Sequence, residues 1–304
     1  MISLRQLRYF QAVAQHAHFG RAAEACAVSQ PALSMQIQEL EKELKVALIE
    51  WRRQGVRLTD EGREVARRAQ RILADVRDLT DYARHRAGLL CGPLHLGVIP
   101  SIAPYLLPPL LPLIRRAFPE LELHLRETQT QTLVAELGEG KLDLLLLALP
   151  VDGPDIETTA LFEDAFMLAV SASRRIKGPV RMTPKLLAND RLLLLEEGHC
   201  LRDQALDFCN LRQVEDLDTF GASSLSTIVQ LVANGYGVTL LPELSVPLEA
   251  RNGAIQVVRF ADPQPARQIG LAWRATSPRK RDFAELGRLI CSARPAAGVN
   301  GARM

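Results

Sequence analysis

The stretch from Thr59 to about Arg86 constrains this chain more than any other. Val65, Ala69, Ile72, Val76, Leu79 and Ala83 recur by alternating steps of four and three, the heptad spacing that draws an apolar stripe along a helix. Thr59 is a suitable N-cap. At about 1.5 Å per residue the helix is ~40 Å long, too long for one small domain to cover. The stripe therefore predicts burial against the same helix of a second copy, and a homodimer; the alternative is an amphipathic helix packed on its own domain. A chain of 304 residues is also too long for one ordinary core. We place one domain at 1–59, the linker helix at 60–90, a second domain at 91–294, and a disordered tail without periodicity at 295–304.

The first domain reads as three helices and a hairpin. Leu4, Leu7, Phe10, Val13 and Ala14 give a helix to about His16. Arg21 to Cys26 forms a short Ala-rich helix, and Ala27-Val28 makes a turn. Ser29 is an N-cap and Pro31 lies in the first turn, where its missing N–H costs nothing. The third helix runs from Gln30 to about Leu44, burying Leu33, Ile37, Leu40 and Leu44. Its opposite face offers Gln30, Pro31, Ser34, Gln36 and Gln38 to base edges in a major groove. Trp51 to Leu58 makes a wing whose Arg52, Arg53 and Arg57 suit backbone phosphates. Residues 1–90 carry a net charge of +4 against −2 for the remainder, with Arg52, Arg53, Arg57, Arg63, Arg67, Arg68 and Arg71 facing only Asp60, Glu61 and Glu64. A winged helix-turn-helix with a basic excess implies double-stranded DNA as partner.

From Pro93 onward apolar strands alternate with amphipathic helices: Leu94–Ile99, a helix through Leu106 and Leu113, Leu121–Arg126, Thr132–Leu137 and Leu142–Leu149. That pattern predicts an α/β domain with largely parallel sheets. Phe166–Ser171 reads as a strand crossing into a second lobe at about 167–222, and Val238–Leu241 as the return to the first; Ile269–Trp273 and the helix 281–290 close the fold.

That second lobe holds Glu196-Glu197-Gly198-His199-Cys200-Leu201-Arg202-Asp203, with Cys209 nine positions after Cys200. A thiol attacks peroxide or disulfide as thiolate, which neighbouring cations and helix N-termini favour; His199 and Arg202 flank Cys200. A helix over Leu201–Phe208 sets the two cysteines about 13 Å apart along its axis. A disulfide needs Cα atoms about 4.4–6.8 Å apart, so a sulfenic acid captured by Cys209 would become a change of shape. The alternative is two unrelated thiols packed as small hydrophobes. Five cysteines make no structural disulfide framework. No apolar run approaches a membrane span and the first residues are no signal peptide, so a cytoplasmic protein is expected. There is no dinucleotide or phosphate loop and no zinc spacing, so neither cofactor nor metal is expected; Gly138-Glu139-Gly140-Lys141 only ends a helix.

Arg21-Ala-Ala-Glu-Ala-Cys-Ala-Val-Ser29-Gln30-Pro31-Ala-Leu33-Ser34, Ile37–Leu40–Glu41–Leu44 and the wing ending Leu58-Thr59-Asp60-Glu61-Gly62 resemble the LysR-type transcriptional regulators. Gly198-His199-Cys200-Leu201-Arg202-Asp203-Gln204-Ala205 with Phe208-Cys209, Cys91 to Pro100, Pro104 to Pro108 and Thr239 to Pro242 resemble the peroxide-sensing members of that family. The resemblance spans residues 4 to about 290. It implies a two-lobed regulatory domain like periplasmic binding proteins, a homotetramer on DNA, hydrogen peroxide as signal, and a regulator, activator or repressor, rather than an enzyme. It further implies Cys200 as peroxidatic and Cys209 as resolving cysteine, with Ser101 and Thr130 holding peroxide and His199, Arg202 and Asp203 supporting the reaction. The disulfide would re-arrange the oligomer on DNA, a thiol reductant of glutaredoxin or thioredoxin type would reset it, and RNA polymerase would be a partner. Two departures stand out: Ser101 where the family usually has threonine, and Ile49-Glu50-Trp51 where many relatives carry Phe and Arg. Ser101 has a second reading as the N-cap of the following helix. Two other functions remain open at this point: a LysR-type regulator answering a small metabolite in the inter-lobe cleft, and a thiol peroxidase.

Overall fold

The structure is a computed structural model that describes residues 1–52, 55–84, 88–153, 155–174, 191–209 and 222–294. The chain forms two compact units, Met1–Arg86 with Gly138–Lys141, and Ala87–Leu137 with Leu142–Met304.

In the first unit α1 (Leu4–His16) starts at a capping box: the Gln6 amide donates to Ser3 Oγ at 3.2 Å and the Ser3 amide to Gln6 Oε1 at 2.9 Å. The second helix, α2 (Phe19–Ala25), begins two residues before the expected Arg21. The reason is His18, whose Nδ1 accepts from the Gly20 and Arg21 amides at 3.1 and 3.4 Å and so acts as the cap. The third, α3 (Gln30–Leu44), has the expected bounds: Ser29 Oγ accepts from the Ala32 amide at 3.4 Å, and Leu33, Ile37 and Leu40 are buried. Glu41 leaves its far end and accepts from the Leu48 and Ile49 amides at 2.7 and 3.2 Å, which ties α3 to the wing. The wing is β1 (Ile49–Arg52) paired antiparallel with β2 (Gly55–Leu58), starting two residues before Trp51. Gly55 has φ +129°, and a Cβ there would lie 2.7 Å from the Ala17 carbonyl oxygen.

The linker helix α4 (Asp60–Arg84) is capped as expected, with Thr59 Oγ1 accepting from the Gly62 amide at 2.9 Å. Its apolar seam is split. Val65 and Ala69 belong to the core of this unit, together with Ala66 and Leu73, because α4 packs on α1. Ile72 and Leu79 are 44% and 70% exposed, and Val76 is half-buried. The alternative reading thus holds for the first turns, and only the later turns leave apolar side chains uncovered. The Ala83 side chain lies outside the description.

The second unit runs β3 (Gly92–Val98), α5 (Ala103–Ala117), β4 (Leu121–Glu127), α6 (Thr130–Gly138), β5 (Leu144–Leu149), β6 (Ile156–Ser171), α7 (Cys200–Cys209), α8 (Leu225–Ala233), β7 (Thr239–Pro242), a 3-10 turn at Glu243–Ser245, α9 (Val246–Glu249), β8 (Ile255–Arg259), β9 (Ala266–Arg274) and α10 (Lys280–Ala293). The strand order is β4-β3-β5-β9-β6-β7, with β8 also on β6. Among the strands of the described residues β3 pairs in parallel, with β4 and β5, and the other strand pairs are antiparallel, with isolated parallel bridges at Leu192–Val238 and Leu195–Ala222; the largely parallel sheet expected from the sequence is found there only at one edge. Leu144 to Leu147 are fully buried at its centre.

The long strand β6 organises both lobes. Ile156–Ala165 pairs with β9 in the first, and Phe166–Ser171 with β7 and β8 in the second. The sequence predicts only its second half as a strand, and predicts Val238–Leu241 as the return to the first lobe. The strand β7 pairs instead with the second half of β6, and Val238 bridges to Leu192. The second lobe therefore extends past residue 222 to β8, and β9 is the return. Residues 175–190 and 210–221 of that lobe, and the tail expected at 295–304, lie outside the described residues.

Candidate functional site

The second unit brings Ser101, Thr130, His199 and Cys200 to one cleft. Three peptide segments build it: Ile99–Ser101 between β3 and α5, Gln129–Thr130 at the start of α6, and His199–Leu201 at the start of α7. Its volume is about 200 Å³ including the mouth, with room for a single molecule about the size of water. Cys200 is the first residue of α7 and half-buried, at the end of the helix where peptide dipoles favour negative charge. The turn before it depends on Gly198, at φ +91°, where a Cβ would sit 2.5 Å from Gln129 Oε1. Gln129 Nε2 donates to the Glu197 carbonyl at 3.4 Å, joining the two sides of the cleft.

Ser101 is 4% exposed, and its partner is one the sequence did not reveal. Arg267 donates from Nη1 to Ser101 Oγ at 2.7 Å and from Nη2 to the Ser101 carbonyl at 3.1 Å. Arg267 Nε meets Asp164 Oδ2 at 3.0 Å, and Asp164 Oδ1 accepts from the Leu244 amide at 2.9 Å. Both side chains are 1% exposed. Such a pair is stable only with its remaining donors and acceptors met, and here they are. With the guanidinium on its oxygen, the Ser101 hydroxyl keeps its own proton for a partner in the cleft. The cap reading of Ser101 is not realised: Ile102 stands at the cap of α5, and no side chain bonds there.

Thr130 lines the same cleft, and its Oγ1 is buried with no hydrogen-bond partner. His199 is buried, its Nε2 3.9 Å from Glu196 Oε1. Arg202 is placed differently from the expectation of a charge beside the thiol. Two positions on, it lies roughly 160° around the helix from Cys200, and its Nη1 donates to the Leu195 carbonyl at 3.2 Å. It lines a small apolar cavity behind α7, with Leu194, Ala205 and Leu225. Asp203 is exposed in the first turn of α7. Cys209 ends the same helix, about 13 Å from Cys200 along the axis; its side chain lies outside the description. Burial, with the Glu120 carboxylate 3.5 Å away, pushes the Cys91 thiol up. Cys26 is half-buried and Cys291 is exposed.

The second candidate site is the exposed face of α3. Gln30, Ser34 and Gln38 follow one another at 40° intervals along that helix, beside Pro31, and Gln30, Pro31 and Gln38 are exposed. Gln36 is on the other flank, roughly 160° from Gln38, where its Nε2 donates to Glu39 Oε2 at 2.8 Å. It does not share the face assigned to it. Arg57 is exposed on β2. Arg53 lies outside the described residues, as does the side chain of Arg52. The basic excess beyond the wing is partly compensated: Arg63 pairs with Asp60, and bonds from Arg67 and Arg68 hold the Glu64 carboxyl down to about 2. Among the described residues no cluster of His, Cys, Asp and Glu can hold a metal ion, and no helix is long and apolar enough to cross a membrane.

Comparisons with known proteins cover both units. Residues 4–63 match the bacterial regulatory helix-turn-helix proteins of the lysR family, and residues 87–290 the LysR substrate binding domain. The chain is 40% identical over 289 residues to a hydrogen peroxide-inducible genes activator of Pectobacterium carotovorum subsp. carotovorum, covering 95% of this chain and 96% of the relative. It is 39% identical to the DNA-binding transcriptional dual regulator OxyR of Escherichia coli K12, covering 95% of each. Among solved structures, full-length OxyR of Pseudomonas aeruginosa with a cysteine-to-aspartate substitution matches with a TM-score of 0.82 at 38% identity over 97% of both chains. A hydrogen-peroxide-bound cysteine mutant of Corynebacterium glutamicum OxyR matches with a TM-score of 0.66 at 34% identity, over 96% of this chain and 92% of that one.

Proposed function

As this chain belongs to the LysR family of bacterial regulatory helix-turn-helix proteins, we propose that it is a cytoplasmic transcription regulator switched by hydrogen peroxide through Cys200 and Cys209. The observation that carries this reading is the cleft itself. It sets a thiol at a helix N-terminus beside one hydroxyl oriented by Arg267 and another without a partner, around a space for one very small molecule. The names of the relatives, peroxide-inducible activators and OxyR, support the same signal.

The Cys200 thiolate attacks one peroxide oxygen; an S–O bond forms, the O–O bond breaks, and hydroxide leaves with a proton to become water. Ser101 donates to the departing oxygen, and Thr130 holds the other end of peroxide. The Cys209 thiolate then attacks the sulfenic sulfur; the S–S bond forms, the S–O bond breaks, and hydroxide leaves with a proton as a second water. This second step requires α7 to unwind, because the two residues stand about 13 Å apart along the helix axis and a disulfide needs Cα atoms about 4.4–6.8 Å apart. His199 packs beside the thiol and Asp203 favours the helix end; Arg202 anchors α7 to Leu195 rather than charging the sulfur. A thiol reductant of glutaredoxin or thioredoxin type resets the switch by exchange, returning Cys200 and Cys209 as thiols while its own thiols become a disulfide.

Dimerisation uses the uncovered turns of α4 about Ile72 and Leu79, and the working form is a homotetramer on double-stranded DNA, with RNA polymerase the downstream partner. A regulator of a small metabolite is disfavoured by the size of the cleft. A thiol peroxidase is disfavoured by the family match across both units. The test is mass spectrometry of the peroxide-treated protein. A Cys200–Cys209 bridge is expected in wild type, a trapped sulfenic acid in Cys209→Ser, and no promoter response in Cys200→Ser. A wild type oxidised without that bridge would refute the switch.

A further inference from the structure

The helix assigned to the major groove carries one large apolar side chain that the core of its own unit does not use. Met35 is 54% exposed, whereas Leu33, Ile37 and Leu40 on the same helix are buried. With 100° between successive residues, Met35 points almost directly away from the mean direction of that buried stripe. Its neighbours one turn off, Pro31, Gln38 and Glu39, and Lys42 two turns on, are all exposed. The side chain at the centre of this face is therefore apolar, and the polar side chains Gln30 and Ser34 lie toward one flank.

Resting on the reading of α3 as a groove-reading helix, we propose that Met35 is a specificity-determining residue that packs its thioether on the C5-methyl group of a thymine. The major groove displays hydrogen-bond donors and acceptors at every base pair, and one apolar feature, the thymine methyl. A methionine in the middle of the face has no use for the former and would leave them without partners against G·C pairs. It suits the latter, being unbranched, polarisable and able to conform to a small protruding group. Met35 is also the sixth residue of α3, within the amino-terminal turns that contact base edges in helix-turn-helix complexes. A single exposed methionine is ordinary on a protein surface, so the decisive variable is the methyl group on the DNA.

The experiment takes a duplex selected from a randomised pool by the full-length chain and replaces each thymine in turn with deoxyuridine, which differs by that methyl alone. Wild type should lose about fourfold in affinity at one thymine of a half-site, the worth of one buried methyl-sized group. Met35→Ala, with an unchanged melting temperature because the side chain is exposed, should bind the parent duplex several-fold more weakly and show no penalty for uracil at that position. Met35→Leu should retain the penalty. A flat uracil scan in wild type, or a full penalty surviving in Met35→Ala, overturns the proposal while leaving the DNA-binding reading in place. Failure to select any duplex would remove that reading, and this one with it.

Discussion

Replacing Ser101 with alanine separates two contributions that one hydroxyl makes. Ser101 Oγ accepts from Arg267 Nη1 at 2.7 Å, in a place where serine is 4% and the arginine side chain 1% exposed. Alanine leaves a buried charged donor without its acceptor, which costs about 1.5–3 kcal/mol of folding stability. In the proposed reaction the same change also removes the proton that Ser101 would offer to the peroxide oxygen that departs as Cys200 takes the other. Loss of one such aligned donor lowers the rate of a charge-developing step by on the order of 100-fold. Ser101→Thr keeps the oxygen and should restore both quantities. Urea unfolding measures the first, and stopped-flow oxidation by peroxide, at a temperature where all three proteins are folded, measures the second. A loss of stability with an unchanged oxidation rate would show that Ser101 serves Arg267 alone and would refute the role given to it in the chemistry.

Two further predictions concern the turn before Cys200 and a carboxylate elsewhere in the same unit. Gly198→Ala puts a side chain at φ +91° and a Cβ 2.5 Å from Gln129 Oε1; it should destabilise by about 1–3 kcal/mol. Gln129→Ala in the same chain should recover only the clash, leaving the backbone strain visible by calorimetry. Asp143 accepts from the His95 amide at 2.8 Å and lies 3.1 Å from its Nδ1. Burial by itself would raise that carboxyl, and the His95 bonds hold it below its usual value. Its contribution is therefore complete above the ordinary carboxylate range and is lost as pH falls through the lowered folded value. Asp143→Asn should make stability depend less on pH below about 4; identical acid profiles for the two proteins would contradict this.

The parts legible in the sequence were those set by neighbours along the chain. Ser29, Pro31 and the Leu33–Ile37–Leu40 spacing fix α3 because caps and helical periodicity act within a few residues. Errors of phase arose where residue type was read without angle: Gln36 looked like its glutamine neighbours but turns to Glu39. The first half of β6, Ile156-Glu-Thr-Thr-Ala-Leu-Phe-Glu-Asp-Ala165, has no clean alternation because one strand serves two lobes, with a bulge between Ala160 and Phe162. The Asp164–Arg267 pair spans 103 positions, beyond any local rule. One signal was present: Arg267 shares its strand face with Ile269, Leu271 and Trp273, all buried, and a charge in such a row needs a partner. The split seam of α4 was hidden for a related reason, since a heptad does not say whether its cover belongs to the same chain.

The narrowness of the cleft has a quantitative side. A molecule of two heavy atoms gains at most about 3 kcal/mol on binding, which corresponds to a dissociation constant no tighter than several millimolar. At micromolar concentration peroxide would therefore occupy the proposed site only a small fraction of the time, and no receptor-like occupancy curve would develop. Each oxidation is an independent encounter, its frequency proportional to concentration without saturation. If the proposed switch holds, such a device counts exposures rather than measuring a level, and what it reports at any moment is the balance between that count and the rate at which a reductant erases it. It behaves as a dosimeter.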